Sequence, residues 1–161
     1  MGKTLKKGLN VVKNLNKILI ARLSLAALFL IVTVLQVFSF PGQFAHMRRA
    51  SGISLLLEIL LTVLVAALFL CAQIAIFSLA KIVSHIHENT FYSSNSYIWM
   101  NRFVSTLKIA TLFPISLIFI IAPQADDPGV LVMLMAITIF VFTSFVISSL
   151  LRDQIQSKPI H

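Results

Sequence analysis

Apolar residues in this chain come in long consecutive runs rather than in alternation. Four stretches hold no Asp, Glu, Lys or Arg: Leu23 to Met47, Ile59 to Ala80, Ile109 to Ala125, and Pro128 to Leu151. A helix rises about 1.5 Å per residue, so crossing the hydrocarbon of a bilayer takes roughly 20 mainly apolar residues. The first, second and fourth stretches reach that length. The third reaches it when Phe103 and Val104 extend it and the Lys108 ammonium bends back toward the headgroups. The pattern predicts transmembrane helices at about 18–40, 53–82, 103–122 and 130–151. A membrane strand alternates apolar and polar positions, whereas ISLLLEILLTVLVAALFL is apolar at successive ones, as a helix with apolar surroundings on every side requires.

Composition removes the soluble alternative. Apolar residues make up 58% of the 161 and charged residues only 11%, with a mean hydropathy of +0.97. So little polar surface cannot enclose four such helices in water, and so apolar a chain is not disordered either. The expected fold is all-α, an integral membrane four-helix bundle forming a single membrane domain over 1–161. The first run is read as a retained helix rather than a cleaved secretion signal, because VLQVFSFPGQ lacks a small-residue cleavage pattern.

The net charge of +8 acquires its meaning from position. Lys3, Lys6, Lys7, Lys13, Lys17 and Arg22 precede or open the first span; Lys81, Arg102 and Lys108 flank the loop between spans two and three; Arg152 and Lys158 follow span four. The opposite side carries Arg48 and Arg49, with Asp126 and Asp127 before the last span. Lysine and arginine collect on the cytoplasmic side of membrane proteins, so both termini are expected in the cytoplasm of a cell (inner or plasma) membrane protein, and nucleic acid is not an expected partner. The lead, residues 1–17, places Leu5, Leu9 and Val12 at helical spacing with its lysines mostly on other faces. It is expected to touch the lipid surface through Lys3, Lys6, Lys7, Lys13 and Lys17, each worth roughly 1 kcal/mol near anionic headgroups.

Three polar side chains inside or beside the spans are candidates for function. Glu58 lies near the start of span two, where a carboxylate is costly in lipid unless paired, protonated or close to the interface. Arg48, Arg49 or Gln36 are its expected partners, and a proton or cation site is the functional alternative. Gln73 lies deeper and is expected to hydrogen-bond a neighbouring helix. Pro114 removes a backbone bond to Ala110 and is expected to kink span three. Pro41-Gly42 ends span one, Ser51 is the expected N-cap of span two, and Ser93 or Ser94 that of the helix leading into span three.

Other motifs give little chemistry. His85 and His87 point about 200° apart on a helix, and His85 with Glu88 supplies only two ligands, so no metal is expected. Cys71 reads as a small buried hydrophobe. Phe91, Tyr92, Tyr97 and Trp99 read as an interfacial aromatic belt. The sequence contains no phosphate-binding glycine loop, nucleophile elbow or paired acids, so neither an enzyme nor a cofactor is expected.

The segment IFSLAKIVSHIHENTF, followed by a short polar helix start and the third span, resembles the bacterial membrane proteins grouped as the domain-of-unknown-function family numbered 2975. Lys81, Glu88 and Phe91 hold places comparable with that family's pattern, and the four-span layout with a short loop after span one fits it. Many members end in an acidic tail, whereas this chain ends LLRDQIQSKPIH. The resemblance implies a bacterial inner-membrane protein, often encoded beside a small helix-turn-helix regulator, and it implies no activity. The expected role is a non-enzymatic membrane protein acting through helix or partner contacts, in envelope sensing, immunity to a membrane-active peptide, or as an accessory to a complex. Its partners are the bilayer and either another membrane protein or further copies of itself, meeting through small residues such as Ala26, Ala27, Ala66 and Ala67. The rival is a small oligomeric transporter or channel using Glu58 and Gln73.

Overall fold

The computed structural model describes residues 2–39, 42, 46, 49, 52, 54–88, 90–124 and 128–157, the side chains of 2–15, 39 and 124 aside. Every element among them is helical. The order is α1 (Gly2–Val34) running into a π-helical turn (Leu35–Ser39), α2 (Leu55–His87), α3 (Ser94–Ala110), α4 (Leu112–Ile121) with a 3-10 turn (Ala122–Gln124), and α5 (Pro128–Gln156). Taken as one column, α3 and α4 join α1, α2 and α5 as four helices long and apolar enough to cross a membrane. The basic lead and the first apolar run share one helix, Gly8 being tolerated within α1.

Local chemistry sets the ends. The Ser54 hydroxyl, rather than that of Ser51, accepts the Leu57 amide at 3.2 Å and caps α2; Ser51 itself lies outside the described residues. Ser93 caps α3 in the same way, accepting from the Ser96 amide at 3.3 Å. Between α3 and α4 the helix is interrupted at Thr111, one turn before the buried Pro114. The Pro114 ring has no N–H to give the Ala110 carbonyl, and the Thr111 hydroxyl donates to the Leu107 carbonyl at 2.9 Å, a bond that also bends helices.

Hydroxyls within the helices turn back on their own backbone. Thr33, Thr62, Ser78, Thr106, Thr138 and Ser144 each donate to the carbonyl four residues earlier, at 2.7 to 2.8 Å. Such a bond satisfies a short polar side chain within its own helix.

The helices pack mainly against their neighbours in sequence. The α3–α4 column lies between α2 and α5, while α1 rests on α2. One core cluster joins Leu61 and Val65 of α2 to Leu117 of α4 and Leu134 of α5. A second joins Ile82, Met100, Val104 and Ile155. The flanking helices bury little: among the described side chains of α1 only Val32 is buried. Outward stand residues such as Leu30, Phe119, Ile139 and Phe140, all more than half exposed.

Candidate functional site

Gln73 and Thr33 meet across the α1–α2 contact. The Gln73 amide nitrogen donates to the Thr33 hydroxyl at 3.0 Å, and that hydroxyl donates in turn to the Phe29 carbonyl at 2.8 Å. Gln73 thus has the interhelical partner that its depth required, and the partner is Thr33. Gln36 lies in the π-helical turn that ends α1, and its amide nitrogen donates to the Ala66 carbonyl on α2 at 3.5 Å. Gln36 is therefore engaged with Ala66. Glu58, half-buried, stands in the first turn of α2. Glu58 is engaged within the protein, and of its expected partners Arg48 lies outside the described residues. Glu58 and Gln73 share α2 but are fifteen residues, or about 22 Å, apart along it.

We expect Gln73→Leu to weaken the α1–α2 contact by about 0.6 kcal/mol and at most about 1.7 kcal/mol, the span measured for hydrogen bonds between membrane helices. Reversible unfolding in bicelles reads that loss. Thr33→Val should give the same loss, and the double variant should lose no more than either alone.

The basic end of the helix array is held by a second polar set. The Arg22 guanidinium donates to the Ser84 hydroxyl at 3.1 Å, joining α1 to α2. Arg152 pairs with Asp153 at 2.8 Å and reaches the Asn101 amide oxygen at 3.5 Å, joining α5 to α3. The Tyr97 hydroxyl donates to Gln156 at 3.4 Å. These contacts put the end of α2, the start of α3 and the end of α5 level with the Arg22 turn of α1. Lys17 is exposed one to two turns before Arg22, while the side chains of Lys3, Lys6, Lys7 and Lys13 lie outside the described residues. The Thr90 hydroxyl sits 3.1 Å from Nδ1 of His85, and His87 is exposed.

Four side chains that sequence reading kept apart come together at this end. The Phe77 and Trp99 rings meet edge to face with centroids 5.7 Å apart. Lys81 Nζ stands 5.5 Å from the Phe77 centroid and 5.9 Å from that of Trp99, and the Arg102 guanidinium lies 4.8 Å over Trp99. Trp99 is thus a platform on which cations from α2 and α3 converge. The signal was available as Phe77 and Lys81 four apart and Trp99 and Arg102 three apart, both same-face spacings. What the sequence did not show was that the two pairs face each other. Beside them a groove of about 300 Å³ opens between α1, α2 and α3, walled by Phe29, Ile74, Phe77 and Trp99, with Gln73 and Arg102 also on its lining.

A family model described as "Protein of unknown function (DUF2975)" matches residues 42–156, more than two thirds of the chain. Those residues take in α2 to α5, with Lys81, Trp99 and Arg102 among them. No curated protein and no solved structure matches.

Proposed function

The chain belongs to the DUF2975 family, and from that premise we propose that it is a non-enzymatic multi-pass protein of the cell (inner or plasma) membrane that works by lateral helix contact, with both termini in the cytoplasm. The orientation is supported by the basic residues gathered at the end where the α2–α3 connection and the close of α5 also lie. Its working contact is with another membrane protein or a second copy, in an accessory, sensing or protective role.

The observation that carries this reading is the way α1 is mounted. Polar bonds from Thr33, Gln36 and Arg22 fasten it to α2, yet most of its described apolar side chains are exposed. Ala66 serves the internal contact, since its carbonyl accepts from Gln36, whereas Ala26 and Ala27 are exposed. Small residues let helix backbones approach closely in lipid, where packing replaces the hydrophobic effect as the driving force. The transporter reading draws less support. Gln73 is spent on Thr33, and Glu58 lies about four turns away along the same helix.

Cysteine cross-linking in native membranes tests the proposal. In a Cys71→Ala background, Ala27→Cys should form an adduct, while Val32→Cys, buried within the chain, should not. Absence of any adduct at Ala27, with a deletion strain indistinguishable from its parent under peptide and detergent stress, would defeat it. Flux in liposomes abolished by Glu58→Gln would install the transporter in its place.

A further inference from the structure

The groove between α1, α2 and α3 has a chemical polarity. At one end Arg102 lines the groove, and Lys81 stands beside its Phe77 and Trp99 walls, so that two cations from different helices reach one indole ring. Neither forms an ion pair among the described residues, where Arg152 and Asp153 do. Arg22, from the third helix, stands at the same end, hydrogen-bonded to Ser84 one turn beyond Lys81. Phe29 walls it from α1, and at its inner end Ile74 stands with Gln73, whose amide nitrogen is already committed to Thr33. From Lys81 to Gln73 is two helical turns and a little more, about 12 Å.

A ligand for this groove must therefore be anionic at one end and apolar for about 12 Å beyond it. Its volume of about 300 Å³ is at the low limit for small-ligand pockets, enough for the upper part of one alkyl chain. A free phosphate would leave the apolar walls uncovered, and a nucleotide would set polar edges against them. A phospholipid meets both demands, and it reaches a groove between membrane helices sideways from the bilayer. Basic pockets between membrane helices are suited to anionic headgroups, the guanidinium adding directed bonds to phosphate oxygens.

We infer that this groove binds a single acidic phospholipid, its phosphate held between Lys81 and Arg102 and one acyl chain laid along Phe29 and Ile74. The site rests on the membrane-spanning reading but not on any protein partner. It gives Lys81 and Arg102 a task beyond orienting the chain.

Trp99 is the only tryptophan in the sequence, so its emission reports on the site alone. The full chain is reconstituted in phosphatidylcholine vesicles, with phosphatidylglycerol or further phosphatidylcholine, brominated near the headgroup end of the chain, added at equal mole fraction. Quenching by the acidic lipid should show an apparent affinity roughly ten- to thirty-fold above that of the zwitterionic one, from two cations at about 1 kcal/mol each. Each of Lys81→Gln and Arg102→Gln should cut the preference about five-fold, and the double variant should abolish it. Arg152→Gln, at the same end but paired with Asp153, should keep it. Equal quenching by both lipids in the unaltered protein, or a preference that survives the double substitution, overturns the site and leaves the spanning reading intact. Quenching by neither lipid overturns both. Inorganic phosphate should leave Trp99 emission unchanged, and a saturable response to it overturns the lipid in favour of the free anion.

Discussion

Replacing Phe140 with Arg is expected to drive α5 out of the bilayer, although Phe140 is 73% exposed. In water an exposed aromatic exchanged for a cation shifts stability by no more than about 0.5 kcal/mol and improves solubility. In hydrocarbon the sign reverses. Arg near the centre of a membrane helix costs about 2.5–3.5 kcal/mol on insertion scales, and the lost Phe adds a few tenths. The insertion equilibrium should fall by roughly a hundred- to seven-hundred-fold. Phe140 lies about 18 Å along α5 from Pro128, so its replacement has far to reach for water at either end. Leu151→Arg is the matched control. It too is exposed, but it adjoins Arg152, where a long side chain reaches the interface at little cost. Protease protection of a tag after Gln156 separates the two: accessibility and breakdown should change for Phe140→Arg and stay near the unaltered pattern for Leu151→Arg. A Phe140→Arg protein that is more soluble and fully folded would mean that this surface faces water.

The same contrast explains what could be read from the sequence. Helix existence follows from one-dimensional facts. Three runs of more than twenty residues without a charge, and a fourth of seventeen, force the backbone to satisfy itself, and with no alternation they leave only helices. The interruption before Pro114 is legible for a similar reason, since a missing N–H is a property of one residue. Pairings are different. Gln73 needed a partner, but nothing local distinguishes Thr33 from Gln36, both on the preceding span. The choice depends on the register of two antiparallel helices, set by the Arg22–Ser84 contact at one end and the Gln36–Ala66 contact at the other. The groove needs the register of three helices at once. Lys81 and Arg102 read as orienting charges because Lys81 meets Trp99, the local partner of Arg102, only once α2 and α3 have packed. Small residues illustrate the same limit: Ala27 and Ala66 look alike in sequence, yet one is exposed and the other lies at the α1–α2 contact.

Where the core lies is tested by a pair of truncations two residues apart. Leu117 is 3% exposed and packs with Leu61, Val65 and Leu134; Phe119 is 76% exposed. In a soluble protein Leu→Ala in the core costs about 2–5 kcal/mol, of which transfer from water supplies about half. Helices that separate within a bilayer exchange protein contacts for lipid contacts, so that transfer share disappears. What remains is the loss of dispersion contacts around the void. Leu117→Ala should therefore cost about 1–2 kcal/mol in bicelles, less than its burial would give in water yet more than the roughly 0.6 kcal/mol of an average hydrogen bond between membrane helices. Phe119→Ala removes the larger side chain and should cost less than about 0.5 kcal/mol, because lipid closes over the gap. The order of the two effects carries the argument. If Phe119→Ala proved the more damaging, its face would be packed against protein, and α4 would meet a partner there rather than lipid.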